Sequence, residues 1–267
     1  TITDCHALGV LNIDGESWGV GGLCGSNTSG TIVRCYARGT VGGGGISQSV
    51  GGLCGNNSGS LSDCYADGDV SGGGSWMGGI GGFCGSNTGI INHCFAAGAV
   101  VGFVYAEDIG GFCGINHGDA RISTCYAAGD VSGKDFTVDI GGFVGRNAQG
   151  RILSCYSAGK LTPASSSQNI GGFCGAAQTG GGFQDTGNFW DTRAAGIVVS
   201  AMGVGKSAEM KTRLLFTSAG WDFIKTWGIE ENQTYPFLLR KPSSDLNDDG
   251  IVNLADFALF AEDWLQD

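Results

Sequence analysis

The residues able to do chemistry are few, and one stretch has the spacing of a metal loop. Asp245, Asn247, Asp249, Ile251, Asn253 and Asp256 fall at positions 1, 3, 5, 7, 9 and 12 of a twelve-residue segment, with Gly250 sixth. Calcium takes six to eight hard oxygen ligands, and this order wraps side-chain oxygens and the Ile251 carbonyl around one point. Gly at the sixth position allows the sharp turn, while position 12 is Asp where a bidentate Glu is usual. Leu254 to Leu265 then places Phe257, Phe260, Ala261 and Trp264 at helical spacing. Ca2+ is the one cofactor expected.

Other candidates are weaker. Gly203-Val204-Gly205-Lys206-Ser207 imitates the end of a phosphate loop, but the first glycine of that pattern would fall at position 200, which is Ser. His6, His93 and His117 occupy slots filled elsewhere by Tyr, Asp or Thr. The carboxylates are scattered, with no visible pair for glycoside hydrolysis. No catalytic residue is assigned. The shortest cysteine separation is ten residues, Cys54 to Cys64 and Cys84 to Cys94, whereas zinc ribbons use pairs two to four apart.

Composition narrows the classes further. Of 267 residues, 52 are Gly, 11 are Cys and 3 are Pro, and the net charge is −11. Collagen needs far more Gly and Pro, and a chain that is 42% apolar and 15% charged is not disordered. A nucleic-acid footprint would be a basic stripe, and none exists. No apolar run approaches the ~18 residues of a membrane span. No basic, apolar leader opens the chain, so a signal peptide is expected to have been removed.

The element that must position everything is an internal repeat. Gly-Gly-Leu/Phe-Cys/Val-Gly recurs from Gly21, Gly51, Gly81, Gly110, Gly141 and Gly171, at offsets of 30, 30, 29, 31 and 30. Cys-aromatic-Ala-x-Gly recurs from Cys35, Cys64, Cys94 and Cys125, with variants at Cys155 and Cys5. Between the phrases stand Asn27, Asn57, Asn87, Asn116 and Asn147, then Ile32, Leu61, Ile91, Ile122 and Ile152. A thirty-residue unit of short β-type runs broken by Gly fits one coil of a β-solenoid. Such coils stack ~4.8 Å apart, so equivalent residues form ladders. Gly is expected at corners for positive φ or close backbone approach. A propeller or an antiparallel sheet is the alternative.

The repeat also orders the cysteines. Pairing each second-phrase Cys with the next first-phrase position gives Cys5–Cys24, Cys35–Cys54, Cys64–Cys84, Cys94–Cys113 and Cys155–Cys174. Cys125 is left as a free thiol, because position 144 is Val. Pairing within one copy strands Cys5, Cys155 and Cys174, and a reduced ladder of buried thiols is a third reading. Connectivity is not read from sequence alone. Five disulfides are the expectation, each closing a loop of about 20 residues and contributing about 3 kcal/mol. They would place the chain in an oxidising compartment.

The form Ile-Gly-Gly-Phe-Cys-Gly-x-Asn-x-Gly-x-Ile-x-x-Cys-Tyr-Ala-x-Gly resembles the GLUG motif of bacterial surface and adhesin-type proteins, over residues 1 to about 176. Asn188-Phe189-Trp190-Asp191, Ala219-Gly220-Trp221-Asp222-Phe223, Trp227 and Tyr235-Pro236 look familiar from the same proteins. The tail from Asp245 resembles half of a dockerin, whose family docks to cohesin through two calcium loops. With one loop, attachment or C-terminal capping is as well supported as cohesin binding. The expected organisation is an all-β solenoid (a parallel β-helix) of about six coils at residues 1–176, a small mixed aromatic cap at 177–240, and an EF-hand-like calcium loop and helix at 241–267. The resemblance implies an extracellular or bacterial cell-surface protein that is structural or adhesive and not an enzyme. Its expected partner is a second copy stacked end to end, or a surface or matrix component. The alternatives are a glycan-binding module and a polysaccharide-degrading β-helix enzyme, and neither nucleic acid nor membrane insertion is expected.

Overall fold

The computed structural model describes residues 1–44, 46–73, 79–178 and 186–239. Each repeat copy folds as one coil of five short strands, for example Val50–Gly51, Cys54–Asn57, Ser60–Ser62, Tyr65–Ala66 and Val70–Gly72. Every strand pairs in parallel with its equivalents in the coils on either side. Val50 lies between Val20 and Ile80, Asn57 between Asn27 and Asn87, and Leu61 between Ile32 and Ile91. Tyr65 lies between Tyr36 and Phe95, and Val70 between Val41 and Val100. The fold is therefore a parallel β-solenoid with five long faces, four of six strands and one of eight. The offsets of 29 to 31 read from the sequence are the rungs.

A single coil has no face against which to bury its apolar side chains; the stack supplies one. Val, Ile and Leu fill the interior, and Phe83, Phe112, Phe143 and Phe173 are fully buried. Their rings stack at 4.8 Å between centroids, with planes within 5° of parallel. Parallel strands fix that spacing, so each ring covers the next without leaving a gap.

The glycines follow the second of the two expected reasons. None of the six Gly-Gly phrases contributes a residue to the positive-φ set. A Cβ on Gly52 would instead lie 2.1 Å from the Gly82 carbonyl oxygen, and one on Gly51 would lie 2.0 Å from that of Cys54. The left-handed corners are taken by other residues. Asp4, Arg34, Asp63, His93, Thr124 and Ser154, the slot before each second-phrase Cys, have φ of 51° to 56°. A second such corner holds Ser49, Asp108, Asp139 and Asn169 at 52° to 59°. Short polar side chains tolerate this region better than most.

Beyond the last coil the aromatic face continues. Tyr156–Ser157 pairs with Phe189–Asp191, which pairs with Val204–Lys206. A second core then gathers Tyr156, Phe189, Met210, Phe216, Trp221, Trp227 and Leu238. A helix over Thr192–Ala195 is capped by the Asp191 side chain and ends at Gly196, φ 72°. The helix Arg213–Ser218 buries Phe216, and Trp227–Gly228 pairs antiparallel with Phe237–Leu238.

Candidate functional site

Two polar or aromatic columns run the length of the stack. Asn27, Asn57, Asn87, Asn116 and Asn147 are all buried. Each Nδ2 donates to the Oδ1 of the next, at 2.9, 2.8, 2.9 and 2.9 Å. Asn147 closes the series on the Gly150 carbonyl at 2.8 Å. An amide has both donor and acceptor, so a column of them satisfies itself rung by rung. On another face His6, Tyr36, Tyr65, Phe95, Tyr126 and Tyr156 stack at 4.8 to 5.1 Å. The cap closes over the far end, where Trp221, Trp227 and Tyr235 meet Tyr156 and the Tyr156 hydroxyl donates to the Pro236 carbonyl at 2.5 Å. Packing between rungs, and against the cap, accounts for this column.

The cysteines form two further columns, and none of the five expected disulfides is formed in the structure. Cys24, Cys54, Cys84 and Cys113 are register partners, and Val144 takes the next rung before Cys174. Cys5, Cys35, Cys64, Cys94, Cys125 and Cys155 form the other column. There the Cys5 amide donates to Cys35 Sγ, Cys35 to Cys64, and Cys64 to Cys94, at 3.3 to 3.4 Å. The pairs Cys5–Cys24, Cys35–Cys54, Cys64–Cys84, Cys94–Cys113 and Cys155–Cys174 would join different columns. Each thiol is instead held locally, as when Cys54 Sγ donates to the Asn56 carbonyl and Cys94 Sγ to that of Asn92. Cys125 is no orphan but one rung among equals, and Val144 shows that its column asks only for a small apolar side chain.

Burial first, and neighbouring thiols second, hold Cys84, Cys94 and Cys125 well above the ordinary thiol range. Because the thiolate is the nucleophile, native alkylation is expected to label exposed Cys5 first and half-buried Cys24 slowly. The nine buried thiols should react only after unfolding. Peptide mapping after timed iodoacetamide treatment checks this, and uniform labelling of eleven native thiols would contradict it.

One charged cluster was not legible in the sequence. Asp108 is only 2% exposed, yet it takes two hydrogen bonds from Arg146, at 2.9 and 2.7 Å. Asp139 stands 3.9 Å from the same guanidinium and accepts from Asn169 Nδ2 at 2.7 Å. Burial pushes the Asp108 carboxyl up to about 6, against the opposing pull of Arg146. His117 is lowered by burial and by Arg146, and its Nε2 lies 3.2 Å from Ser86 Oγ. Among the described residues no carboxylate bonds His117, so no catalytic triad forms. The other histidines are elsewhere: His6 on the aromatic column, and His93 at a left-handed corner 2.5 Å from Asp63.

The unfolded Asp108 carboxyl titrates near 3.8 and the folded one near 6, so between these values the fold holds the extra proton. Stability from this group is complete below about pH 4 and declines as pH rises to about 6, by up to about 3 kcal/mol. Asp108→Asn should remove that decline. Urea midpoints of both proteins at pH 4, 5, 6 and 7 test it; parallel profiles would contradict it.

The phosphate-loop lookalike is a strand, with Gly205 packed on Trp190 and Thr192. The calcium-loop residues Asp245, Asn247, Asp249, Ile251, Asn253 and Asp256 lie outside the described residues. The family model of the GLUG motif matches residues 16–42, 46–71 and 105–132. The chain carries GLUG-motif repeats. Each match spans one coil, from before the Gly-Gly phrase to the valine after the second phrase. The intervening GLUG-like coils hold the same columns in the same register. No curated protein and no solved structure matches the chain.

Proposed function

We propose that this GLUG-repeat solenoid is a non-enzymatic structural rod of the extracellular space or bacterial surface, serving adhesion or assembly. The observation that carries the reading is the continuity of the columns. Five buried asparagines, four stacked phenylalanines and six stacked aromatic or histidine rings pass from coil to coil at constant spacing, which stiffens the stack along its axis. The surface location rests on the resemblance to bacterial adhesin-type repeats, not on disulfides. The spacing from Asp245 to Asp256 supports Ca2+ as the ion of the tail, which would attach or cap the rod. The partner is a surface or matrix component, or a second copy stacked end to end.

Electron microscopy of the full chain with and without Ca2+ tests this reading, together with adhesion to whole bacterial cells. Extended particles that bind cells are expected. Compact particles, or polysaccharide cleavage abolished by Asp108→Asn, would overturn it.

A further inference from the structure

A cleft of about 580 Å³ opens on the cap, lined by Asp191, Arg193, Ser207, Lys211, Asn232 and Tyr235. These residues come from separate segments that meet only in the folded cap. Small-molecule sites fall in this size range. We propose that this cleft binds the carboxylate of an acidic saccharide.

Charge is the first argument. The chain carries −11, yet this cleft gathers two cations, and among the described residues neither Arg193 nor Lys211 forms an ion pair. Asp191 also lines the cleft and offsets one of these charges, leaving one net positive charge; it is buried and both its oxygens already accept hydrogen bonds. One accepts from the Arg193 and Ala194 amides at 2.8 and 3.0 Å, and the other from the Tyr235 hydroxyl at 2.7 Å. The neighbouring acids are also tied back, Glu209 to the Ser207 amide and Glu231 to that of Arg213.

The second argument is placement. Lys211 Nζ lies over the Tyr235 ring, 5.2 Å from its centroid, a cation–π contact that holds the ammonium at the cleft. The Lys211 carbonyl accepts from the Asn232 backbone amide at 2.8 Å, and Asn232 takes a left-handed φ of 61° there. A guanidinium and an ammonium together suit one carboxylate. The Asn232 side-chain amide, the Ser207 hydroxyl and the edge of Tyr235 suit the hydroxyls and ring of a sugar, which a bare phosphate would leave unused.

Calorimetric titration of the full chain with digalacturonate, neutral digalactose and inorganic phosphate, at low and high salt, tests the assignment. Digalacturonate should bind, more weakly at high salt, and lose tenfold or more in affinity in Lys211→Gln and in Arg193→Gln. Both changes alter cap side chains outside its apolar core, and far-ultraviolet circular dichroism verifies each fold. No binding, equal binding of digalactose, equal competition by phosphate, or unchanged affinity in both variants would overturn the proposal. The rod reading does not depend on it: compact particles would sink that reading and leave this titration standing.

Discussion

Asn87→Leu is expected to destabilise the protein by about 3–5 kcal/mol. Leu has the same branched skeleton of four side-chain heavy atoms as Asn, so the main effect lies in hydrogen bonding. Asn87 accepts from Asn57 Nδ2 at 2.8 Å and donates to Asn116 Oδ1 at 2.9 Å, and it also accepts from the Gly89 amide at 3.2 Å. Leucine removes all three, together with the Nδ2 donation to the Gly89 carbonyl at 3.3 Å, and leaves polar groups on both flanking rungs without their partner. Each buried group so orphaned costs about 1–3 kcal/mol, and a low local dielectric makes this more expensive than at a surface. Asn57 keeps longer contacts to the Gly59 and Ile90 carbonyls, at 3.4 and 3.5 Å, which holds the expected figure below the sum of the worst cases. Asn27→Leu is the internal control. Asn27 breaks only one rung-to-rung bond, to Asn57, and should lose about half as much. Urea unfolding with matched slopes reads both values. A loss below about 1 kcal/mol for Asn87→Leu would show that the column is incidental to stability.

The reason that column could be seen in the sequence is geometric. A solenoid converts sequence period directly into spatial neighbourhood, so Asn27 and Asn57 need only be thirty residues apart to touch. The same logic gave the Ile, Val and aromatic columns. What the period does not encode is how a side chain at a fixed slot is used. Spacing alone made Cys5 and Cys24 look like partners, but they belong to different columns, and the thiols meet their own kind along the stack. Likewise, Arg34, Asp63 and His93 share a slot but no side-chain chemistry. The shared constraint there is a left-handed backbone, visible only as φ. The Asp108–Arg146 pair spans 38 residues, more than one period, and joins two columns around a corner. The cap cleft is further from reach, since Asp191 and Tyr235 are 44 residues apart in a segment with no repeat at all.

Gly82→Ala should be among the most damaging small substitutions in the chain, costing at least about 4 kcal/mol, a range reserved for a few mechanisms. Its φ lies outside the left-handed region, so strain in that residue's own backbone is not the cause. The added Cβ would sit 2.2 Å from the Gly111 carbonyl oxygen and 3.2 Å from Ala96 Cβ. Relief requires the two rungs to separate by about 1 Å, judged against ordinary contact distances. They cannot do so locally: Phe83 donates to the Phe112 carbonyl at 2.8 Å and Cys84 to the same oxygen at 3.0 Å. The Phe83 and Phe112 rings are also in stacking contact. Opening the gap would therefore sacrifice backbone hydrogen bonds and ring packing together. Gly118→Ala supplies the contrast. A Cβ there meets nothing within 4 Å, and φ is +67°, so the cost is the conformational one of about 1–2 kcal/mol. The same chemical change thus separates close approach from backbone freedom. Thermal and urea unfolding of the two variants would show it, and equal losses would mean that the rungs can part more easily than their hydrogen bonds imply.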